Sequence, residues 1–330
     1  MEVVRDRASR RIWLSQSEYI AKLERLLPGG SDDKGTRPTR PTRHIRPPRT
    51  PIFAVELIPY EGTTTASSIY DYQRKVGSIL YAAVISRVDI VYAVSKLPQF
   101  NHNPGPQHHK AADHYIQYLL STQNFALELG GGDGFETWSD ASFADNSVDR
   151  KSSQAYVMKL FGGVVGWRAN KQDTVTTSTT EAELLALVQA VKEALYADRL
   201  LSELGIRFED CTIQLWCDNQ QTIGLVTKET ATLRTKLKYV NIHNHWLRQE
   251  VERGTIEVSY EPTDRMLADG LTKALTGAKF EAFRAAVGVV DISKQLAERK
   301  ACEITLEDLE AREDLFDGGE ADTVLIHGAA

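Results

Sequence analysis

The stretch Ser178-Thr179-Thr180-Glu181-Ala182-Glu183-Leu184-Leu185-Ala186-Leu187 constrains the fold more than any other. Its hydroxyl residues are good N-caps, and the apolar series continues through Val188, Val191, Leu195 and Leu200, the pattern of a helix with one buried face. A helix running from about Ser178 to Glu203 needs a layer to pack on. The segments on either side supply one. Phe135 to Ala144, Ser153 to Leu160 and Val164 to Arg168 read as three strands, the last two joined by the hairpin-type turn Phe161-Gly162-Gly163. Thr212 to Cys217 and Thr255 to Tyr260 read as two more, separated by a helix after Asp218 and an amphipathic helix from about Lys236 to Arg253. A meander followed by alternating strands and helices predicts an α/β fold, a mixed sheet with flanking helices.

Four acids fall at informative places in that scheme. Asp140 lies in the first strand, Glu183 in the first turns of the long helix, Asp218 at the end of the fourth strand, and Asp269 at the start of a short late helix. In mixed α/β sheets the ends of adjacent strands and the following helix starts converge on one edge, which lets such carboxylates meet. Carboxylates that meet repel one another unless cations lie between them, and hard oxygen donors select Mg²⁺, with Mn²⁺ as the alternative. Two ions roughly 3.5–4 Å apart suit hydrolysis of a phosphodiester.

The flanking regions are of a different texture. Near the N-terminus a basic extended or hairpin segment leads into Ser15-Gln16-Ser17-Glu18, which reads as a capping box for a short helix that ends at Pro28-Gly29-Gly30. Residues 31–51 are rich in Pro, Thr and Arg, with Arg37, Arg40, Arg43, Arg46 and Arg49 spaced by three, the texture of an extended linker or a basic strap along phosphates. Tyr70 to Leu97 and Gln107 to Ser121 read as helices around the break Asn101-His102-Asn103-Pro104-Gly105-Pro106. His102, His108, His109 and His114 lack the cysteine or acid partners of a zinc site, and a polar helix end facing a nucleic-acid backbone is the expectation for them. Beyond about Val290 the chain turns acidic, as surface helices and disordered tails do. The domain expectation is therefore 1–130 as a small helical unit with its linker, 131–290 as the α/β domain, and 291–330 as an acidic tail.

Composition narrows the setting. With 42% hydrophobic and 25% charged residues in 330 the chain is of ordinary globular make-up, and a net charge of -6 argues against a general nucleic-acid coat protein. Three cysteines without a Cys-x-x-Cys pair point to a reducing compartment, and neither a bilayer-spanning run nor a secretory signal is present, so an intracellular protein with no membrane partner is expected.

Taken together, Trp138-Ser139-Asp140-Ala141-Ser142, Asp149-Arg150-Lys151-Ser152-Ser153, Ser178-Thr179-Thr180-Glu181-Ala182-Glu183, Cys217-Asp218-Asn219-Gln220 and Leu267-Ala268-Asp269-Gly270-Leu271-Thr272-Lys273 resemble, in order, the ribonuclease H domain of copia-type LTR retrotransposon polyproteins. The stretches Leu14 to Tyr19 and Tyr72 to Tyr81 are similar to the region after the polymerase palm. The resemblance implies a ribonuclease H-like α/β domain preceded by the thumb and connection of a reverse transcriptase, with the polymerase acids outside this chain. It implies an endonuclease that cuts the RNA strand of RNA–DNA hybrids, with two Mg²⁺ (or Mn²⁺) on Asp140, Glu183, Asp218 and Asp269, alongside an upstream polymerase domain, in a cytoplasmic virus-like particle or the nucleus.

Within that pattern the helix acid precedes Leu-x-Ala, which selects Glu183 as the ligand. Glu181 lies about 200° away round the helix and takes either a capping role or a supporting one behind the ligands. Histidines near the site in the family make His243 and His245 the secondary catalytic candidates, and Arg234 and Lys273 are the candidates for phosphate contact. Two departures stand out. Arg87-Val88-Asp89 replaces the usual Arg-Pro-Asp, and Lys238-Tyr239-Val240-Asn241-Ile242 lacks the usual His and Asp beside the site. They leave a rival expectation: a catalytically inactive or co-opted remnant that binds nucleic acid or a partner protein.

Overall fold

The computed structural model describes residues 1–30, 48–53, 55–206, 208, 212–228, 233, 235 and 237–299. Met1–Asp291 form one compact unit, and Ile292–Ala330 belong to a second, of which only the part to Arg299 is described. The Pro/Arg-rich segment up to Arg46, Arg234 and the acidic tail beyond Arg299 lie outside the described residues.

The first strands are β1 (Glu2–Asp6) and β2 (Arg11–Ser15), an antiparallel hairpin. The anticipated capping box at Ser15 does not form. Ser15 ends β2, and its hydroxyl instead accepts a bond from the Ser17 amide ahead of α1 (Ser17–Ala21). Next come α2 (Ala66–Ile85), α3 (Val91–Lys96) and α4 (Pro106–Ser121), with short 3₁₀ turns on both sides of α3. The break after Ile85 is set by Arg87 and Asp89. Both side chains are fully buried and bonded bidentately at 2.8 and 2.9 Å, and Asp89 also accepts the Tyr118 hydroxyl at 2.7 Å. A charged pair so enclosed must sit in one geometry, so it fixes where α2 stops and how α4 lies on it.

Three of the histidines serve this helical unit internally. His108 accepts the Gly105 amide at Nδ1, leaving Nε2 to donate to the Ile58 carbonyl, while His109 bonds Ser68 and His114 bonds the Thr50 carbonyl. Burial lowers the pKa of all three below the usual histidine range. Their rings are thus committed to the fold rather than turned to a nucleic-acid backbone.

After α4 the chain forms β3 (Phe125–Gly130), where a flexible boundary is expected from the glycines. β3 pairs with β2 and with the late strand β9 (Val289–Asp291), closing a four-stranded antiparallel sheet β1-β2-β3-β9. The second sheet carries the candidate site. It comprises β4 (Phe135–Ser142), β5 (Ser153–Leu160), β6 (Gly163–Lys171), β7 (Ile213–Cys217) and β8 (Ile256–Tyr260) in the order β6-β5-β4-β7-β8. The first three form an antiparallel meander, and β7 and β8 add in parallel to β4. The turn into β6 is tight: Gly162 has φ +84°, and a Cβ on Gly163 would lie 2.6 Å from the Leu129 Cα.

Helices α5 (Thr179–Glu203), α6 (Gln220–Thr227) and α7 (Lys238–Glu252) share an apolar core with the sheet through Leu184, Leu187, Val191, Leu215, Val226, Val240 and Leu247. The remaining helices, α8 (Asp269–Thr272) and α9 (Gly277–Ala286), belong to the core of the helical unit, where Leu271, Phe280 and Phe283 join Val76, Ile79 and Tyr118. The strand order, the mixed directions and the helices make this a ribonuclease H-like α/β domain preceded by a helical unit. No helix among the described residues is long and apolar enough to cross a membrane.

Candidate active site

Strand register brings the first two acids together. In the parallel pair β4–β7, Trp138 lies opposite Trp216. Asp140 and Asp218 each stand two residues further on, so both occupy the same level of neighbouring strands, on the same face by the two-residue alternation. Asp140 is 1% exposed in the centre of the sheet; Asp218, just past the end of β7, is half-buried.

The long helix supplies the third acid. Ala182 and Ala186 meet Ala141 in a small apolar contact, and these small side chains let the start of α5 approach β4 closely. Glu183 therefore arrives beside Asp140 and Asp218, buried to 7% exposure and bonded by the Ala141 amide. A Glu183 oxygen, the Cys217 sulfur and an Asp218 oxygen all lie within 4.8 Å of one another.

The fourth acid comes in from the other side of the sheet edge. Trp138 shares a face with Asp140 and packs on Met266 and Ala268, which lays the 266–273 turn next to Asp140. There Thr272 donates its hydroxyl to Asp140 Oδ2, and Lys273 pairs with Asp269 and stands 3.6 Å from Asp140 Oδ1. Asp218 in turn accepts the Thr263 hydroxyl at 3.0 Å. All four sequence-selected acids are thus drawn into one cluster.

Electrostatics follow from the crowding. Burial, opposed by Lys273 and Thr272 and reinforced by Asp269 and Asp218, lifts Asp140 to about 6. Burial and the Asp140 and Asp218 charges raise Glu183 well above the carboxylate range. Asp140 Oδ1 and Glu183 Oε2 are buried and accept no hydrogen bond, a costly condition for carboxylate oxygens that a bound cation relieves. This hard oxygen donor set suits Mg²⁺ or Mn²⁺. The Cys217 thiol is pushed far up by burial and by Glu183, and its soft sulfur is a poor match for the hard ions that the oxygen donors select.

Glu181 does something else. Its carboxylate accepts the Thr177 amide and hydroxyl at 2.7 and 2.8 Å, while the Ser178 hydroxyl caps the helix by accepting the Glu181 amide. Burial works against it, yet bonds from Thr235 and Thr177 hold its pKa below the ordinary value. The histidines lie apart: His243 stands against Tyr239 on α7, its pKa lowered by burial and by Lys192, and His245 is exposed. Among the described residues neither makes a hydrogen bond or ion pair to the four acids. Thr272, Cys217 and the Ala141 amide were not singled out from the sequence. No residue-type signal marks them, although all three lie inside the quoted motif segments.

The fold and the acid cluster define a ribonuclease H-like domain. No protein-family model matches the chain. A retrovirus-related Pol polyprotein from the tobacco (Nicotiana tabacum) transposon TNT 1-94 is 33% identical over 291 residues, covering 88% of this chain and 21% of that protein. The secreted RxLR effector protein 161 of Plasmopara viticola is 41% identical over 127 residues, 38% of this chain and 89% of that protein. Among solved structures, RNase H1 from the halophilic archaeon Halobacterium salinarum NRC-1 aligns with 42% of this chain and 92% of its own, at 17% identity and a TM-score of 0.30. The chain belongs to the retrovirus-related Pol polyproteins of copia-type transposons, and spans about a fifth of the length of the first of these relatives.

Proposed function

We propose that this chain is a ribonuclease H-type endonuclease that cuts the RNA strand of RNA–DNA hybrids within a retrotransposon polyprotein. The observation that carries this reading is the convergence of Asp140, Glu183, Asp218 and Asp269 from four separate elements, with two buried carboxylate oxygens lacking any hydrogen-bond donor. Asp140, Glu183, Asp218 and Asp269 would hold two Mg²⁺ ions, or Mn²⁺, which supply an activated water and steady the leaving oxygen. Thr272 orients Asp140, the Ala141 amide orients Glu183, and Thr263 orients Asp218. The hybrid is held through its backbone and 2′-hydroxyls rather than its sequence. Lys273 and Arg234 are the proposed phosphate contacts, and His243 and His245 the proposed aids to proton transfer.

Residues 1–130 are, in this reading, the thumb and connection of a reverse transcriptase whose polymerase domain feeds the hybrid to residues 131–290, in a virus-like particle or the nucleus. The test is cleavage of a labelled RNA–DNA hybrid by the purified chain in Mg²⁺ against EDTA. Cleavage that depends on Mg²⁺ and disappears in Asp140→Asn is the expected result. Absence of cleavage, with hybrid binding retained, supports the inactive remnant instead, a reading favoured by Asn241 and Tyr239 standing where the family pattern has Asp and His.

A further inference from the structure

The cluster is lopsided. On one edge, Glu183 Oε2 is buried without a hydrogen-bond donor, and Asp218 adjoins it. On the other edge a cation belonging to the chain is already in place: the Lys273 ammonium pairs with Asp269, one helical turn earlier, and lies 3.6 Å from Asp140 Oδ1. We infer that Lys273 is a built-in counter-cation for the Asp140–Asp269 edge, so that one divalent ion binds first at the Glu183–Asp218 edge, away from the ammonium, and a second binds at the Asp140–Asp269 edge only by displacing it.

Three observations support the assignment. The ammonium bridges two carboxylates from different elements, β4 and α8, which is the role expected of a bound cation rather than of a surface lysine. Its side chain is 41% exposed, so the head group has an open path away from the acids along a flexible stem. Lys273 also lines a cavity of about 890 Å³ with Thr272, Ser142 and Asp145, which gives a displaced ammonium room to swing into. The consequence is an ordered site: the first ion meets no internal rival, while the second must supply more stabilisation than the lysine it replaces. A displaced lysine is then free to meet the phosphate it was first expected to contact.

This inference rests on the two-ion reading above, and Mn²⁺ binding separates the two without relying on turnover. The full chain, Lys273→Met and Lys273→Arg are titrated with Mn²⁺ at neutral pH and low salt, followed by calorimetry and by the paramagnetic resonance of free Mn²⁺. Two steps are expected in the unmodified chain. The weaker step strengthens on the order of tenfold in Lys273→Met, because a unit positive charge about 4 Å from a ligand is removed, and stays as in the parent in Lys273→Arg. If Lys273→Met does not melt cooperatively, Lys273→Gln takes its place under the same criteria. Superposable titrations of the parent and the neutral variant overturn the inference alone. A single step in all proteins, or an arginine variant behaving like the methionine one, also overturns it. Absence of Mn²⁺ binding in every protein overturns it together with the metal-site reading.

Discussion

Asp140→Asn isolates what the carboxylate cluster costs the fold. Burial and neighbouring acids raise Asp140 from 3.8 to about 6, so its charged form is disfavoured by about 3 kcal/mol in the folded chain. A carboxyl whose folded pKa is raised imposes no penalty below its unfolded pKa. The penalty grows between about pH 4 and pH 6 and is complete above the folded value. Asparagine removes the charge, and its carbonyl can still accept the Thr272 hydroxyl, but the Lys273 pairing is weakened. The net expectation for the metal-free protein at pH 7.5 is a stabilisation of about 1–3 kcal/mol, several degrees in Tm. The assay is thermal unfolding of parent and variant in EDTA at pH 7.5 and pH 4.5, then with added Mg²⁺. The variant should melt higher in EDTA at pH 7.5, lose most of that advantage at pH 4.5, and gain less than the parent from Mg²⁺. A variant that melts lower than the parent in EDTA at pH 7.5 would refute the reasoning, because it would mean that Asp140 is stabilised rather than strained by its neighbours.

The two helix acids should separate by readout. Glu183→Gln removes Mn²⁺ binding at the shared edge, whereas Glu181→Gln leaves Mn²⁺ titrations unchanged and costs roughly 1 kcal/mol in urea unfolding through its Thr177 bonds. Arg87→Met leaves Asp89 charged and enclosed, and should cost about 3–5 kcal/mol by denaturant unfolding, with a large part recovered when Asp89 is also made apolar. Gly163→Ala forces a methyl against the backbone of Leu129 and Gly130 and should cost roughly 1–3 kcal/mol by the same measurement.

Much of the sheet and most of its acids were legible because both follow from local pattern. Alternation marked β4, β5 and β7, and the 3.6-residue period marked α5 and α7, each to within about three residues. What the pattern missed depends on distant partners. β9 is short and is a strand only because β3 lies beside it, and β3 has its partners in the distant β2 and β9; glycines at Gly130–Gly132 and Gly288 read as loop when no partner is known. α9 likewise becomes definite through Phe280 and Phe283 in a core assembled from helices some 200 residues earlier. At the site, residue type identified the acids and the helix period separated Glu183 from Glu181, but neither showed the partners of each. That Glu181 faces Thr177 and that Lys273 faces Asp140 are facts of three-dimensional register.

The placement of Asp269 ties the candidate site to the helical unit. Asp269 opens a helix of only four residues, too short to hold itself. Its neighbour Leu271 is 1% exposed in the core formed with Val76, Ile79 and Tyr118, and Gly270 abuts the Phe283 ring so closely that a Cβ would lie 2.4 Å from it. Trp167 donates to the Ala83 carbonyl, Lys96 pairs with Asp145, and Asn146 bonds Gln99, so the same unit also braces β6 and the loop after β4. A fragment restricted to residues 131–290 would expose Leu271, Phe280 and Phe283, each worth roughly 1.5–3 kcal/mol when buried. The expected outcome is a fragment that melts well below the full chain and keeps the Glu183–Asp218 edge better than the Asp269 edge, seen as loss of the weaker Mn²⁺ step before the stronger one. A fragment with the full chain's Tm and both steps intact would show that Asp269 is positioned by the sheet alone, and that the helical unit is a neighbour of the site rather than part of its support.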